Sequence, residues 1–425
     1  MITDMKLAPL STQAVGWCVI MAFISPACAE NELHRIGEAK RPAMRLVSAD
    51  SDDGYAFESP SPSGTVQTIP SDAILRWGEP VRPPLKPFIM LSDGSELILE
   101  RASHVVGLEN DRLGFQSELF GEVFLPIDSI RAIVLSTPRE DSQRDQLTRQ
   151  LATANPGQDE LVLQSGDVLR GRLIEIESDL VQFSTGGRER AIARELVAMI
   201  VLDPQYGSRR IHQAHAIIGL RDGHQLLAES ISLDRDLLEI ELFDGTVLKA
   251  KSYVRPVEDQ TVSFIQPLGP HLLYLSDLEP SSYKHIPYLS GQRSFGLDRD
   301  IHGRLIVAAE SGRRALKGIA MHSTSRLTFD VPGAYSRFES ELSLAANAAG
   351  TSGGSVVYRV FLKKETIWEE VFVSPIVRQS PNVIACGVDL GTGSSKASAI
   401  SLVVDFADRA DQSDHALWMD ARLVR

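Results

Sequence analysis

Residues 318–330, GIAMHSTSRLTFD, and residues 414–423, DHALWMDARL, enclose the part of the chain whose pattern decides the fold. Around and between them lie LTFDV at 327–331, GSVVYRV at 354–360 and AISLVVDF at 399–406. These segments are short, rich in β-branched and aromatic residues, and bounded by Gly, Pro, Ser or Asp, which is how strands are punctuated. From His271 onward the pattern predicts two antiparallel sheets packed face to face.

With YLSDLEP at 274–280, these stretches stand in the order of four motifs of the NPCBM module, a carbohydrate-binding β-sandwich. The C-terminal third resembles that family over about 155 residues, one ordinary domain. The resemblance implies a jelly-roll sandwich of the galactose-binding type over 269–425, with ligand loops at one edge. It also implies sugar contacts at His322 and Ser323, which stand where the family has its histidine, with Arg326 close by. Asp414, His415 and Trp418 are carried over from the DHAxWxDARL signature, which Asp420 and Arg422 complete.

The residues also allow quieter readings. A histidine entering a strand is commonly satisfied by backbone. Trp418 could stack on the C–H face of a sugar, but a tryptophan on a closing strand gains more by burial, and burial is the expectation for both Trp418 and Trp368. The spacing Asp405, Asp408, Asp411, Asp414 fits either a structural calcium loop or a solvated polar loop, and no EF-hand order is present. No other cofactor is expected. Two loops depart from the family pattern: AANAAGTSG at 345–353 lacks acidic residues, and KKET at 363–366 replaces a glycine-containing turn.

Residues 88–268 read as antiparallel β repeats that resemble small barrels. Units start at LSDGSEL (91–97), LQSGDVL (163–169) and LRDGHQL (220–226), and the endings SIRAIVLSTP and LVAMIVLDP align, whereas SYVRPVEDQ departs. Asp93-Gly94, Asp222-Gly223 and Asp244-Gly245 mark strand reversals, read as primed turns. One helix is expected over Asp141–Ala152, where Leu147 and Leu151 stand a turn apart. Residues 30–87, dense in Ser, Asp, Pro and Gly, are expected to be linker, ordered only near Trp77.

Residues 1–29 have Lys6, an apolar run from Ala14 to Ile24 and the small-residue ending Ala27-Cys28-Ala29, which reads as a cleavable export signal. The run is too short to span a bilayer, which needs about 20 apolar residues. Location is therefore expected to be periplasmic, cell-surface or secreted. Cleavage would leave Cys386 as the single cysteine, without a disulfide partner and expected to be buried.

The formal net charge of −13 argues against a nucleic-acid partner. The 425 residues hold no stretch of alternating strand and helix of about 250 residues, as a barrel glycosidase of the kind found beside this module requires. Nucleophile-elbow, phosphate-loop and metalloprotease motifs are absent from the sequence. The expectation is an exported, non-catalytic protein that binds glycan or polysaccharide through its terminal sandwich, with the repeats as spacer or scaffold. The alternative is an envelope interaction or scaffold protein whose sugar site is lost.

Overall fold

The computed structural model of the chain describes residues 31–38, 42–50, 54–59, 64–153, 157–203, 215–234, 237–251, 261–288, 291–346, 353–408 and 410–425. The export signal, the departing ending at 252–260 and most of the 345–353 loop lie outside the described residues.

The repeat reading holds, with a change of turn type. In the first unit Gly94 N–H donates to Leu91 O, Leu91 N–H donates to Ser95 O, and Gly94 has φ 93° while Asp93 keeps negative φ. That is a three-residue loop with glycine in the left-handed position, not a two-residue primed turn, which would need positive φ at the residue before it. Leu163-Gly166, Leu220-Gly223 and Leu242-Gly245 repeat the same pair of hydrogen bonds.

In the unit starting at residue 159, strand Asp159–Leu163 pairs with both Val168–Ile176 and Val197–Val201. Val168–Ile176 then pairs with Leu180–Thr185, and that strand with Arg188–Ala193. A single 3-10 turn, Arg194–Leu196, replaces hydrogen bonding between the last two strands, so the sheet curls like a barrel without closing.

The expectation of linker over 30–87 is overturned. Strands Leu33–Arg35, Arg45–Asp50, Gly54–Glu58 and Val66–Ile69, the turn Ser71–Ala73 and strand Ile74–Gly78 repeat the same order of elements. Leu33, Leu46, Tyr55, Phe57 and Trp77 are all buried in one core shared with the later units, and Trp77 Nε1 donates to Met44 O at 2.8 Å. The strands there are too short to show alternation. Units join through their final strands: Ile74–Gly78 pairs with Val262–Pro267, and Ile130–Val134 with Val197–Val201. The expected helix forms as Asp141–Thr153, with Leu151 packed on Phe88, Met90 and Val134.

The C-terminal part is a two-sheet sandwich. One sheet holds Leu272–Tyr274, Gly296–Leu297, Gly318–His322, Arg337–Leu344, Ile384–Asp389 and His415–Val424. The other runs Ser282–His285, Ser325–Asp330, Ala399–Phe406, Val356–Lys364, Ile367–Val373 in spatial order. Strand His415–Val424 lies between Gly318–His322 and Arg337–Leu344, so both of its edges are hydrogen-bonded.

That strand changes faces partway along. Ala416 and Trp418 point into the sandwich core, and so do Ala421 and Leu423, which is an odd step in a period of two. The step is a bulge: Asp420 has φ 49° and the register opposite it slips between Glu339 and Glu341. It turns Asp420 and Arg422 out of the core. Asp420 Oδ2 lies 3.7 Å from Arg76 Nε, and Arg422 Nη2 lies 2.5 Å from Glu339 Oε2. Arg76, 1% exposed, belongs to the N-terminal units, and its Nη1 also donates to Arg314 O at 3.4 Å. Arg76 Nη2 also lies 3.4 Å from Glu79 Oε1, and apolar clusters join the two halves: Leu75 with Leu272 and Tyr274, and Leu316 with Ile217 and Phe264.

Removing one member of a buried ion pair leaves the other charged and unpaired, at a cost of about 3–5 kcal/mol, whereas an apolar replacement of both costs far less. Arg76→Ala is therefore expected to lower stability by about 3 kcal/mol or more in denaturant unfolding, and Arg76→Met with Asp420→Asn, which removes both charges and keeps a side chain tolerated at φ 49°, to recover part of that loss.

Candidate functional site

Register places two of the sequence-identified residues side by side, because His322 and His415 are paired partners at one end of the first sheet. Their ring centroids are 5.6 Å apart. Two further histidines extend the line: His285, at the end of Ser282–His285, lies 5.8 Å from His322, and His302, in the loop after Gly296–Leu297, lies 5.0 Å from His415. The result is a row of four imidazoles along the rim of the sandwich, buried at His285 and His322, half-buried at His415 and exposed at His302.

The hydrogen bonds assign protons to the inner two rings. Arg293 N–H donates to His285 Nδ1 at 3.2 Å, which leaves His285 Nε2–H to donate to Ser323 O at 3.3 Å. His322 Nδ1 is 2.8 Å from the same carbonyl and must donate to it, so its Nε2 keeps a lone pair. Burial lowers the pKa of His322, and burial together with the neighbouring His302, His322 and Arg293 pushes His415 down to about 4. At neutral pH His415 therefore presents an uncharged ring with one donor and one acceptor, which suits hydroxyl groups, whereas His322 has its donor spent on Ser323 O and keeps only the Nε2 acceptor.

Ser323 and Asp414 are not exposed to any ligand. Both are fully buried; Ser323 Oγ donates to Asp414 Oδ2 at 2.5 Å and Ser355 N–H to Asp414 Oδ1 at 2.8 Å. This carboxylate ties three strand ends together beneath the histidines. Burial raises its pKa to about 6, against the two hydrogen bonds that pull it down. Gly354 lets the chain pass, since a Cβ there would stand 2.4 Å from Ser413 O.

Trp418 is also fully buried, edge-on to Tyr358 with centroids 5.0 Å apart. It fills the core and is no stacking platform. Arg326 does not join the histidines either: alternation along Ser325–Asp330 sends it to the outer face of the second sheet, opposite Lys284. Trp368 corrects the expectation of burial, being 41% exposed on that same face. The consecutive carboxylates Glu369 and Glu370 beside it were the readable sign of an edge strand wet on both faces. His285, His302 and Arg293 carried no sequence signal, because only the fold brings them to the rim.

The four spaced aspartates do not converge on a calcium site. Asp405 pairs with Arg359 at 2.8 Å and Asp408 with Arg378 at 2.5 Å, Asp411 accepts from Tyr288 N–H at 3.2 Å, and Asp414 is held as described. Among the described residues no group of three or more His, Cys, Asp or Glu is placed to hold a metal ion. Cys386 is buried and free, with its thiol pushed up to about 12.

Asp414→Ala would leave the Ser355 N–H and the Ser323 hydroxyl unsatisfied at about 1–3 kcal/mol each, so a loss of about 2–6 kcal/mol is expected by denaturant titration, while exposed Asp408→Asn should leave the unfolding midpoint essentially unchanged. Because the folded value of His415 lies below the ordinary 6.5, the unfolded chain binds more protons as pH falls from 6.5 towards 4, and this group costs stability across that window. Asp414, raised from 3.8, acts oppositely, contributing stability at low pH that is lost as pH rises through about 6. His415→Gln should therefore shrink the fall in Tm between pH 6.5 and 4.5, and an unchanged acid profile would contradict the placement of this ring.

Residues 271–424 match a family model described as NPCBM/NEW2 domain. No curated protein matches the chain. Among solved structures, it is similar to the CBM51-2 and INT domains of Clostridium perfringens ZmpB in complex with GlcNAc, at 21% identity over 50% of this chain and 38% of that one, TM-score 0.31. It is also similar to the CBM51 of Clostridium perfringens GH95 in complex with methyl-galactose, at 26% identity over 36% and 99%, TM-score 0.30. The tandem CBM51 modules of Sp3GH98 from Streptococcus pneumoniae SP3-BS71 align at 13% identity over 62% and 87%, TM-score 0.29. The chain thus spans well under half of the ZmpB fragment it matches. The C-terminal sandwich is thus the part of the chain matched by the NPCBM/NEW2 domain model.

Proposed function

We propose that the chain is an exported, non-catalytic carbohydrate-binding protein whose sandwich takes a sugar at the histidine rim, with the N-terminal β units as its scaffold. The observation that carries this reading is the row of imidazoles ending in exposed His302 and half-buried His415. The uncharged ring of His415 gives hydroxyls a donor and an acceptor without the desolvation cost of a buried charge. Exposed Tyr288, packed edge-on against Phe406 with centroids 5.6 Å apart, stands near this rim through Asp411 and offers an aromatic wall. The family match to residues 271–424 and the sugar-bound CBM51 structures agree with the reading. Binding at one such shallow site is expected at millimolar to micromolar strength, about −4 to −8 kcal/mol.

A glycan array probed with the full chain tests it. Galactose- and N-acetylglucosamine-terminated glycans are expected to be retained, and His302→Ala with His415→Ala to weaken retention about tenfold or more, the worth of one or two hydrogen bonds, with Tm little changed. A folded chain that retains no glycan would favour the envelope-interaction reading instead.

A further inference from the structure

The second sheet carries a groove on its outer face, away from the core. It encloses about 550 Å³ and runs across the strands between Lys284 and Trp368. Strand register explains its composition. Lys284 is directly opposite Arg326, Arg326 opposite Val403, and Val403 opposite Arg359, so three cations fall on one line across the sheet.

The three are not equivalent. Arg359 is answered twice, its Nε 2.8 Å from Asp405 and its Nη1 2.7 Å from Glu370. These are the two carboxylates in the groove lining. Lys284 and Arg326, both exposed, make no ion pair among the described residues although they face each other on adjacent antiparallel strands. Like charges so placed repel, and a chain with 56 Asp and Glu against 43 Lys and Arg has ample carboxylates to neutralise them. At the far side the indole of Trp368 and the ring of Phe361 form an apolar wall.

We infer that this groove is a second binding site, for an acidic polysaccharide chain. The uncompensated Lys284–Arg326 pair takes the anionic substituent, carboxylate or sulfate, which Arg326 can grip with a planar fork. Trp368 takes the C–H face of a neighbouring pyranose. The volume lies within the range of small-ligand clefts, about 300–1,000 Å³, enough for a short stretch of the chain. No residue of the histidine rim takes part, so the inference stands or falls separately from the rim site.

Affinity electrophoresis of the full chain through polygalacturonate, a sulfated galactan, unsubstituted galactan and polyglutamate tests it. Retention by at least one acidic polysaccharide, well above that by neutral galactan, is expected, and which one retains identifies the anion as carboxylate or sulfate. Lys284→Gln with Arg326→Gln should weaken that retention at least tenfold, Trp368→Ala several-fold, and added salt should weaken it further. His302→Ala, run alongside, should still be retained by the acidic polymer. Failure of both acidic polysaccharides to retain the folded chain would overturn the inference. So would equal retention by neutral galactan that survives the Lys284 and Arg326 changes, or equal retention by polyglutamate, which would show charge recognition without sugar.

Discussion

The sandwich is organised by one strand that has no free face. His415–Val424 is hydrogen-bonded on both sides, and its side chains are claimed in turn by the sandwich core and by the seam with the N-terminal units. A strict alternation would have driven Asp420 and Arg422 into a core built of Phe329, Tyr358 and Leu402. The bulge at Asp420 resolves that conflict by inserting one residue, so that the apolar set continues inward and the charged pair faces partners. His415 is at the other end of the same strand, which is why the rim and the seam share a single register.

The legible parts were those with strong local chemistry. The Asp-Gly turns, the β rhythm, the amphipathic helix and the motif-bearing strands needed only neighbours in sequence to be read. Turn type escaped, because Asp-Gly serves two-residue and three-residue loops alike and only the pairing register separates them. The unit at 33–78 escaped for a different reason: its strands are three to six residues long, too few to display a period.

Site residues divided along similar lines. His322 and His415 were found through motif and then placed together by the ladder, whereas Ser323, Asp414 and Trp418, from the same motifs, hold the scaffold that positions them. Motif membership marks what a fold needs as readily as what a ligand touches. Trp368 shows the converse, an aromatic residue with no motif, exposed because its strand is the last of its sheet.

The seam between the two halves has a practical meaning for anyone dividing the protein. Each half has its own hydrophobic interior, which invites a cut near residue 270, yet that cut would take Arg76 away from Asp420 and uncover Leu272, Tyr274 and Leu316 together. The freed sandwich would present a sticky scar where it was once dry. Orientation would go with it: the buried arginine and its apolar neighbours hold the sandwich at a set angle on its pedestal, so the two halves do not swing on a tether.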